Sequence, residues 1–199
     1  SKPLYEAKLI LVGDGGAGKT TLANKLQNPD YELNPDPNNW TRGIDILPWE
    51  IQHPSGNPYR INIWDFGGQQ IYHTTHQFFL SRRSVYVLLH DNRKGNTDFQ
   101  YWLENIRLLG GQDSPIIIVK NEKGECGLNE SAYYIDDHEN LIFKTVNLAT
   151  NKELDDLRQT IEDALFNLEN IGDSLLLPWA NIRNVLRNLA ESRNYIDQY

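Results

Sequence analysis

Residues Gly13 to Thr20 read GDGGAGKT, a full match to G-x-x-x-x-G-K-S/T, and the apolar run Leu9-Ile10-Leu11-Val12 stands directly before them. A glycine-rich turn between a buried strand and a helix lets successive backbone N–H groups converge on an anion, and the helix N-terminus adds the positive end of its dipole. The ligand suited to such a turn is a polyphosphate, held along the backbone of Asp14, Gly15, Gly16, Ala17 and Gly18. In this geometry Lys19 reaches the β- and γ-phosphates as a point charge, the Thr20 hydroxyl ligates Mg²⁺, and Thr21 assists at the α-phosphate.

A second group, Trp64-Asp65-Phe66-Gly67-Gly68-Gln69-Gln70, has D-x-x-G followed by Gln at its centre. Asp65 would hold Mg²⁺, usually through a water, the Gly68 N–H would contact the γ-phosphate, and Gln69 would orient an attacking water. Alone the pattern marks any strand end. Standing about 45 residues after the loop lysine, it fits the same nucleotide site. His73 and His76 form H-x-x-H without a nearby cysteine, which is a poor zinc site; a pair of satisfied or exposed histidines is the expectation.

These groups need elements to place them. Lys8 to Val12 predicts a strand and Lys19 to Gln27 a helix, with Leu22, Ala23 and Leu26 on one face. Residues 28 to 40, rich in Pro and Asn, predict a loop. Ile44 to Ile51 and Tyr59 to Trp64, separated by His53-Pro54-Ser55-Gly56-Asn57-Pro58, predict an antiparallel hairpin. Val85 to Leu89 and Ile116 to Val119 are apolar runs suited to a sheet centre. Between them Thr97 to Leu109 shows helical spacing, its Phe99, Trp102, Leu103, Ile106 and Leu109 facing the core. Phe143 to Leu148 gives a last strand and Asn151 to Leu168 a long amphipathic helix. Residues 171 to 174 read as a turn, and 179 to 192 return to helical periodicity. Strands alternating with helices give an α/β fold in three layers, with ligands outside the carboxyl ends of the strands, where the phosphate loop, Asp65 and Asn121 all fall.

The chain has 199 residues, a net charge of −8 and a pI near 5.1. That balance opposes electrostatic capture of nucleic acid, which needs clustered Lys and Arg. It does not oppose binding of one nucleotide, neutralised locally by Lys19, backbone amides and Mg²⁺. No apolar run approaches the roughly 20 residues that span a bilayer, and no signal segment opens the chain, so a cytoplasmic location is expected. The single cysteine, Cys126, cannot pair internally, in keeping with a reducing compartment. The absence of Met suggests an excised piece of a longer protein.

The phosphate loop, the Pro/Asn-rich stretch, Thr41-Arg42-Gly43, the hairpin and Trp64-Asp65-Phe66-Gly67-Gly68-Gln69 together resemble a Ras-type GTPase, specifically the Roc domain of Roco proteins. His73-Thr74-Thr75-His76-Gln77-Phe78-Phe79-Leu80-Ser81-Arg82-Arg83-Ser84-Val85-Tyr86 is similar to the Roc segment after the second switch. It is more specific than the glycine loop. The tail from Leu177-Pro178-Trp179 resembles the opening of the COR domain that follows Roc. The resemblance covers nearly the whole chain. It implies a P-loop NTPase, Ras-like three-layer fold with a mostly parallel six-stranded sheet and one antiparallel edge hairpin. Residues 1–171 would form the GTPase domain, and 172–199 a linker and helix opening a truncated COR domain. GTP or GDP as ligand, Mg²⁺, GTP hydrolysis and a homodimeric parent protein with leucine-rich repeats and other modules are implied as well.

On that template Thr41 is the switch threonine, meeting Mg²⁺ and γ-phosphate only in the triphosphate state; a threonine merely opening a strand is the plainer reading. Arg93 stands where the Roc pattern has an arginine proposed to act across a dimer, joining Lys19 and Gln69 in catalysis. A solvated loop arginine is its plainer reading, and Arg82 and Arg83 are alternatives. The family's N-K-x-D motif appears here as Asn121-Glu122-Lys123-Gly124. Asn121 matches, Glu122 replaces the lysine that packs over the base, and Gly124 replaces the aspartate that accepts from guanine N1 and N2. Losing that acceptor removes charge-assisted hydrogen bonds worth about 1.5 to 3 kcal/mol each. Glu125, one position late, substitutes only if the loop bulges. Asn147-Leu148-Ala149 replaces the last base-contacting loop, the backbone amides of Leu148 and Ala149 remaining able to meet a base oxygen.

Three functions are weighed: a slow Mg²⁺-dependent GTPase switch; a hydrolysis-deficient nucleotide-binding or dimerisation module with relaxed base specificity; and an ATP-specific enzyme such as a small kinase, against which stand the lack of an Arg-rich lid segment and the presence of Gln69 after D-x-x-G.

Overall fold

The computed structural model describes residues 2–33, 41, 43–67, 84–93, 98–110, 113–124, 141–169, 171–175, 178, 181, 182, 184–186 and 188. Its elements run β1 (Lys2–Pro3), β2 (Glu6–Gly13), α1 (Lys19–Gln27), β3 (Ile44–Gln52), β4 (Pro58–Phe66), β5 (Ser84–Asp91), α2 (Phe99–Gly110), β6 (Ile116–Asn121), β7 (Leu141–Val146), α3 (Leu154–Phe166) and β8 (Ser174–Leu175).

Six strands form one sheet in the order β3-β4-β2-β5-β6-β7. Only the β3–β4 pair at the edge is antiparallel, and it is closed by the expected turn, where His53 N–H donates to Asn57 O at 2.9 Å and Gly56 N–H to His53 O at 2.8 Å. The other pairs are parallel. Central strands buried on both faces must read as continuous apolar runs rather than alternate, and all eight residues of β5 are buried.

The pleat sends alternate residues to opposite faces. Leu9, Leu11, Val85, Val87, Leu89, Ile117 and Val119 pack with Leu22, Ala23 and Leu26 of α1 and Leu154, Leu157, Ile161 and Leu165 of α3. Ile10, Val12, Tyr86, Leu88, Ile116 and Ile118 pack with Trp102, Leu103 and Ile106 of α2 on the other face. Each fully buried Leu or Ile contributes about 1.5 to 3 kcal/mol. This is the expected three-layer α/β architecture. Because β2, β4, β5, β6 and β7 run the same way, their carboxyl ends open on one edge of the domain.

Most strands extend one or two residues beyond the apolar runs, since ladder hydrogen bonds continue into polar end residues such as Asp91 and Asn121. The last strand, expected over 143 to 148, lies two residues earlier. A two-stranded ladder was not expected: β1 pairs antiparallel with β8, Lys2 opposite Leu175 and Pro3 opposite Ser174. Ser174 therefore belongs to a strand rather than to the end of a turn. Two-residue strands carry no periodicity, so partners this far apart in the chain leave no mark in the sequence. Beyond them, residues 178, 181, 182, 184–186 and 188 are helical, with Ile182, Val185 and Leu186 exposed. Among the described residues no helix is long and apolar enough to cross a membrane.

Candidate functional site

The turn from β2 into α1 brings Asp14 to Gly18 to the open edge of the sheet. Gly18, in the left-handed region at φ 110, is the N-cap of α1 and supplies no side-chain cap, so the first turn of the helix and its dipole face outward to a ligand. Lys19 is buried and bends back over the loop, its ammonium donating to Gly13 O at 2.7 Å and Asp14 O at 2.9 Å. A lysine held by loop carbonyls sits where an anion over the loop would meet it. Thr21 follows on α1.

Thr20, Thr41 and Asp65, far apart in sequence, converge. Thr20 Oγ1 donates to Asp65 Oδ2 at 2.6 Å, Thr41 Oγ1 donates to the same oxygen at 2.9 Å, and the two hydroxyls are 2.8 Å apart. Asp65 is fully buried at the end of β4, and its Oδ1 has no hydrogen-bond partner among the described residues. Burial pushes its carboxyl up, against the hydrogen bonds from Thr20 and Thr41 and the charge of Lys19, which pull it down. A buried carboxylate with one orphaned oxygen beside two hydroxyls is a hard, all-oxygen donor set of the kind Mg²⁺ takes, so these residues fit the ion.

The segment carrying Thr41 is seated on the chain just after β4. Gly67 N–H donates to Gly43 O at 3.0 Å, and a Cβ on Gly67 would stand 2.5 Å from Thr41 O. Only glycine allows this approach, a requirement set by Thr41, which is distant in the chain. Gly68 and Gln69, as well as His73, His76, Arg82, Arg83, Glu125 and Cys126, lie outside the described residues.

On the base side, Asn121 is buried at the end of β6. Its Nδ2 donates to Ala17 O at 2.9 Å, and its Oδ1 accepts from Leu148 N–H at 3.3 Å, joining the phosphate loop to the 147–149 loop. Ala149 N–H donates to Asn147 Oδ1 at 2.9 Å, so a base oxygen arriving at Leu148 or Ala149 would share or displace acceptors from within the chain. Glu122 turns away: its N–H goes to Val146 O at 2.7 Å, and its carboxylate is 3.8 Å from Lys120 and 3.9 Å from Lys152. Lys123 turns inward and donates to Gly16 O of the phosphate loop. Gly124 adopts φ 74, a left-handed turn conformation.

Arg93 is engaged within its own chain. Its Nε donates to Asp91 Oδ1 at 3.0 Å, its Nη2 to Asp91 Oδ2 at 2.8 Å, and its backbone N–H to Oδ1 at 3.0 Å. Lys123 Nζ lies 3.4 Å from the same carboxylate. Burial alone would raise the Asp91 carboxyl, but the hydrogen bonds from Arg93 and the charges of Lys123 and Arg93 outweigh it, leaving Asp91 at about 2. Sequence reasoning missed Asp91, Lys123 and Asn92, whose Oδ1 accepts from Lys123 N–H at 2.8 Å. A polar Asp-Asn pair ending an apolar strand beside the phosphate loop was the available signal.

The described residues thus bring the Lys19 loop, the Thr20–Thr41–Asp65 cluster and the Asn121–Leu148 contact to one edge of the sheet, donors and acceptors suited to a polyphosphate and a divalent cation. Comparisons with known proteins give the family. The family model for "Ras of Complex, Roc, domain of DAPkinase" matches residues 8–124, more than half of the chain. A probable serine/threonine-protein kinase, pats1, of Dictyostelium discoideum is 30% identical over 95% of this chain but only 7% of its own length. A Roc-COR-CHAT protease of Runella zeae is 38% identical over 64% of this chain and 16% of its own. The chain thus spans a small part of these relatives. The solved structure of Methanosarcina barkeri Roco2 RocCORdC bound to GDP superposes with a TM-score of 0.77 at 31% identity, covering 93% of this chain and 56% of that one. By the family match and by the sheet order that bears it out, the chain belongs to the Roc family of Ras-like GTPase domains.

Proposed function

We propose that this domain binds guanine nucleotide with Mg²⁺ and hydrolyses GTP slowly, acting as a switch within a longer protein. The observation carrying the reading is the meeting of Thr20, Thr41 and Asp65 on one carboxylate oxygen beside the Lys19 loop. It brings the residues expected to sense a cation and a terminal phosphate within hydrogen-bond reach of each other. The Roco2 relative bound to GDP supports guanine nucleotide as the ligand.

In this reading the loop amides and Lys19 hold the phosphates, and Thr20 and Asp65 would hold the cation, which would supply positive charge beside the phosphate oxygens. Thr41 closes over the terminal phosphate, and release of its segment follows loss of that phosphate. The Gly68 N–H would meet the γ-phosphate, and Gln69 would orient the attacking water. Without an added positive charge, turnover of about 10⁻⁴ to 10⁻² s⁻¹ is expected. Residues 172–199 would lead into a COR domain, and the parent protein would be a cytoplasmic homodimer; the Roc-COR organisation named for the Runella relative supports the first of these.

A second reading, a module that binds nucleotide but scarcely hydrolyses it, is favoured by one observation. Arg93, the candidate for a transition-state charge across a dimer, is clamped by Asp91 and must leave it to act. Base specificity divides in the same way: Gly124 offers no side-chain acceptor, and Glu125, one position later, takes that place only if the loop bulges.

Calorimetric titration with GDP, GTP and ATP in Mg²⁺, followed by multiple-turnover phosphate release, tests both. Tight GDP and GTP binding with ATP undetected, and slow release, is the expected result. Binding without release would leave the second reading, and no binding at submillimolar nucleotide would discard the first.

A further inference from the structure

The last turn of α1 carries a charge that the phosphate and cation residues do not use. Lys25 is only 4% exposed, and a buried ammonium is costly unless its protons are accepted. Its acceptor is a neutral amide far off in the chain. Lys25 Nζ donates to Asn151 Oδ1 at 2.6 Å, and Asn151 Nδ2 donates in turn to Pro29 O at 3.2 Å. The negative end of the α1 dipole favours the ammonium there as well. Asn151 adopts φ 60, a left-handed conformation that asparagine tolerates better than most residues with a side chain. One residue thus both bends the chain and grips the end of the helix.

Asn151 stands on the turn that follows β7. Asn147 and Lys152 close that turn as an antiparallel bridge, Asn147 N–H donating to Lys152 O at 3.0 Å, while Asn147 Oδ1 accepts from Ala149 N–H at 2.9 Å and Thr150 N–H at 3.1 Å. The turn is bonded within itself, so its place beside the phosphate loop is set by what holds it from outside. Leu148 N–H is held by Asn121 Oδ1 at 3.3 Å on one side, and Asn151 by Lys25 on the other. Leu148 already lies against the phosphate loop, since a Cβ on Gly18 would stand 3.0 Å from its Cδ1. A nucleoside attached to phosphates over Gly15 to Thr20 has this turn as its neighbour. The one helix therefore presents Lys19 and Thr20 to the phosphates and cation at its first turn, and fixes the nucleoside-side turn with its last.

We propose that Lys25 and Asn151 are positioning residues for nucleotide binding, their hydrogen bond setting the 147–150 turn at the distance from the phosphate loop at which its backbone amides meet the base. The proposal rests on the nucleotide-binding reading above and deepens it. Neither side chain touches the ligand; both act through the backbone of Leu148 and Ala149.

The experiment is equilibrium binding of GDP and of 6-thio-GDP, in which sulfur replaces the base oxygen, to the parent chain, Asn151→Gly, Asn151→Asp, Lys25→Met and the Lys25→Met/Asn151→Gly pair. Glycine keeps the left-handed backbone without the side chain, aspartate keeps an acceptor for Lys25, and methionine keeps the length of the lysine stem without its ammonium. The parent should prefer GDP over 6-thio-GDP by about fivefold. Asn151→Gly and Lys25→Met should each weaken GDP by about three- to tenfold, as expected for one neutral hydrogen bond to the base, and leave 6-thio-GDP within twofold, so that the preference falls toward one. The pair should be no weaker than either single variant, and Asn151→Asp should stay within twofold of the parent. Side chains that merely stabilise the fold would weaken both ligands alike and preserve the preference. That result overturns the proposal, as do GDP binding within twofold of the parent in Asn151→Gly, full multiplication of the two losses in the pair, or a parent without preference between the two ligands. Asn151→Asp as weak as Asn151→Gly overturns the part given to Lys25. Should Asn151→Gly melt below the assay temperature, an unchanged preference in Lys25→Met is the overturning result. A parent protein that takes up no GDP overturns the functional reading itself, and it is read on the unsubstituted chain.

Discussion

Thr41 Oγ1 lies 2.8 Å from Thr20 Oγ1, and both hydroxyls donate to Asp65 Oδ2. Thr41, which precedes β3, is thereby brought against the first turn of α1, so a ligand that engages Thr20 and Asp65 bears directly on Thr41. Thr41→Ala should weaken a non-hydrolysable GTP analogue by about fivefold or more in Mg²⁺ while leaving GDP within twofold. Equal loss for both nucleotides in a calorimetric titration would remove Thr41 from the sensing of the terminal phosphate.

Gly67→Ala should act on the same docking from the other side. Its methyl carbon would stand 2.5 Å from Thr41 O, nearer than non-bonded atoms tolerate, so the backbone of one segment must yield. The expected outcome is a three- to tenfold loss of GTP-analogue affinity, little change for GDP, and an effect that does not multiply with that of Thr41→Ala. Full multiplication of the two losses would mean that the segments are uncoupled.

Lys19→Ala removes the ammonium that donates to Gly13 O and Asp14 O, and with it the point charge facing a polyphosphate. Binding of GDP and GTP should become undetectable at submillimolar concentration, while the melting temperature without nucleotide shifts by only a few degrees. Retained micromolar binding would place the phosphates elsewhere.

Gln69→Leu should spare nucleotide affinity and slow single-turnover phosphate release by about tenfold or more, since its assigned role is to orient water rather than to bind. Hydrolysis at the parental rate would strike Gln69 from the mechanism.

Asp91 links stability to acid. Its carboxyl is held at about 2 in the folded chain, below the unfolded value near 3.9. Its contribution, about 2 kcal/mol, is complete above the unfolded value and is lost as pH falls from about 4 toward 2. Denaturant midpoints at pH 7, 4 and 3 should show Asp91→Asn less stable than the parent at pH 7, with the gap narrowing on acidification. A gap constant down to pH 3 would mean that the carboxylate is not held by charge.

The sheet was legible because its central strands are buried on both faces and must be written as Val, Ile and Leu runs. The phosphate loop was legible because its chemistry demands glycines and a lysine at fixed spacing. The Lys123 arrangement was not, because a fixed-spacing motif assumes an unbroken register. Past the end of β6 the Lys123 ammonium reaches Gly16 O while the Glu122 carboxylate lies near Lys120 and Lys152, contacts with residues far off in the chain that no motif spacing encodes. Gly67 escaped notice because its requirement comes from Thr41, a neighbour in space alone. Arg93 was expected from its position, yet the Asp91 two residues before it, which grips it, is read only once the strand end is folded.

Asn121 fastens two separate turns with a single amide. Folding thus ties the turn before α1 to the turn after β7 without any ligand, so a molecule arriving between them need not order these two turns itself, and loosening that amide should show first as a less rigid empty protein.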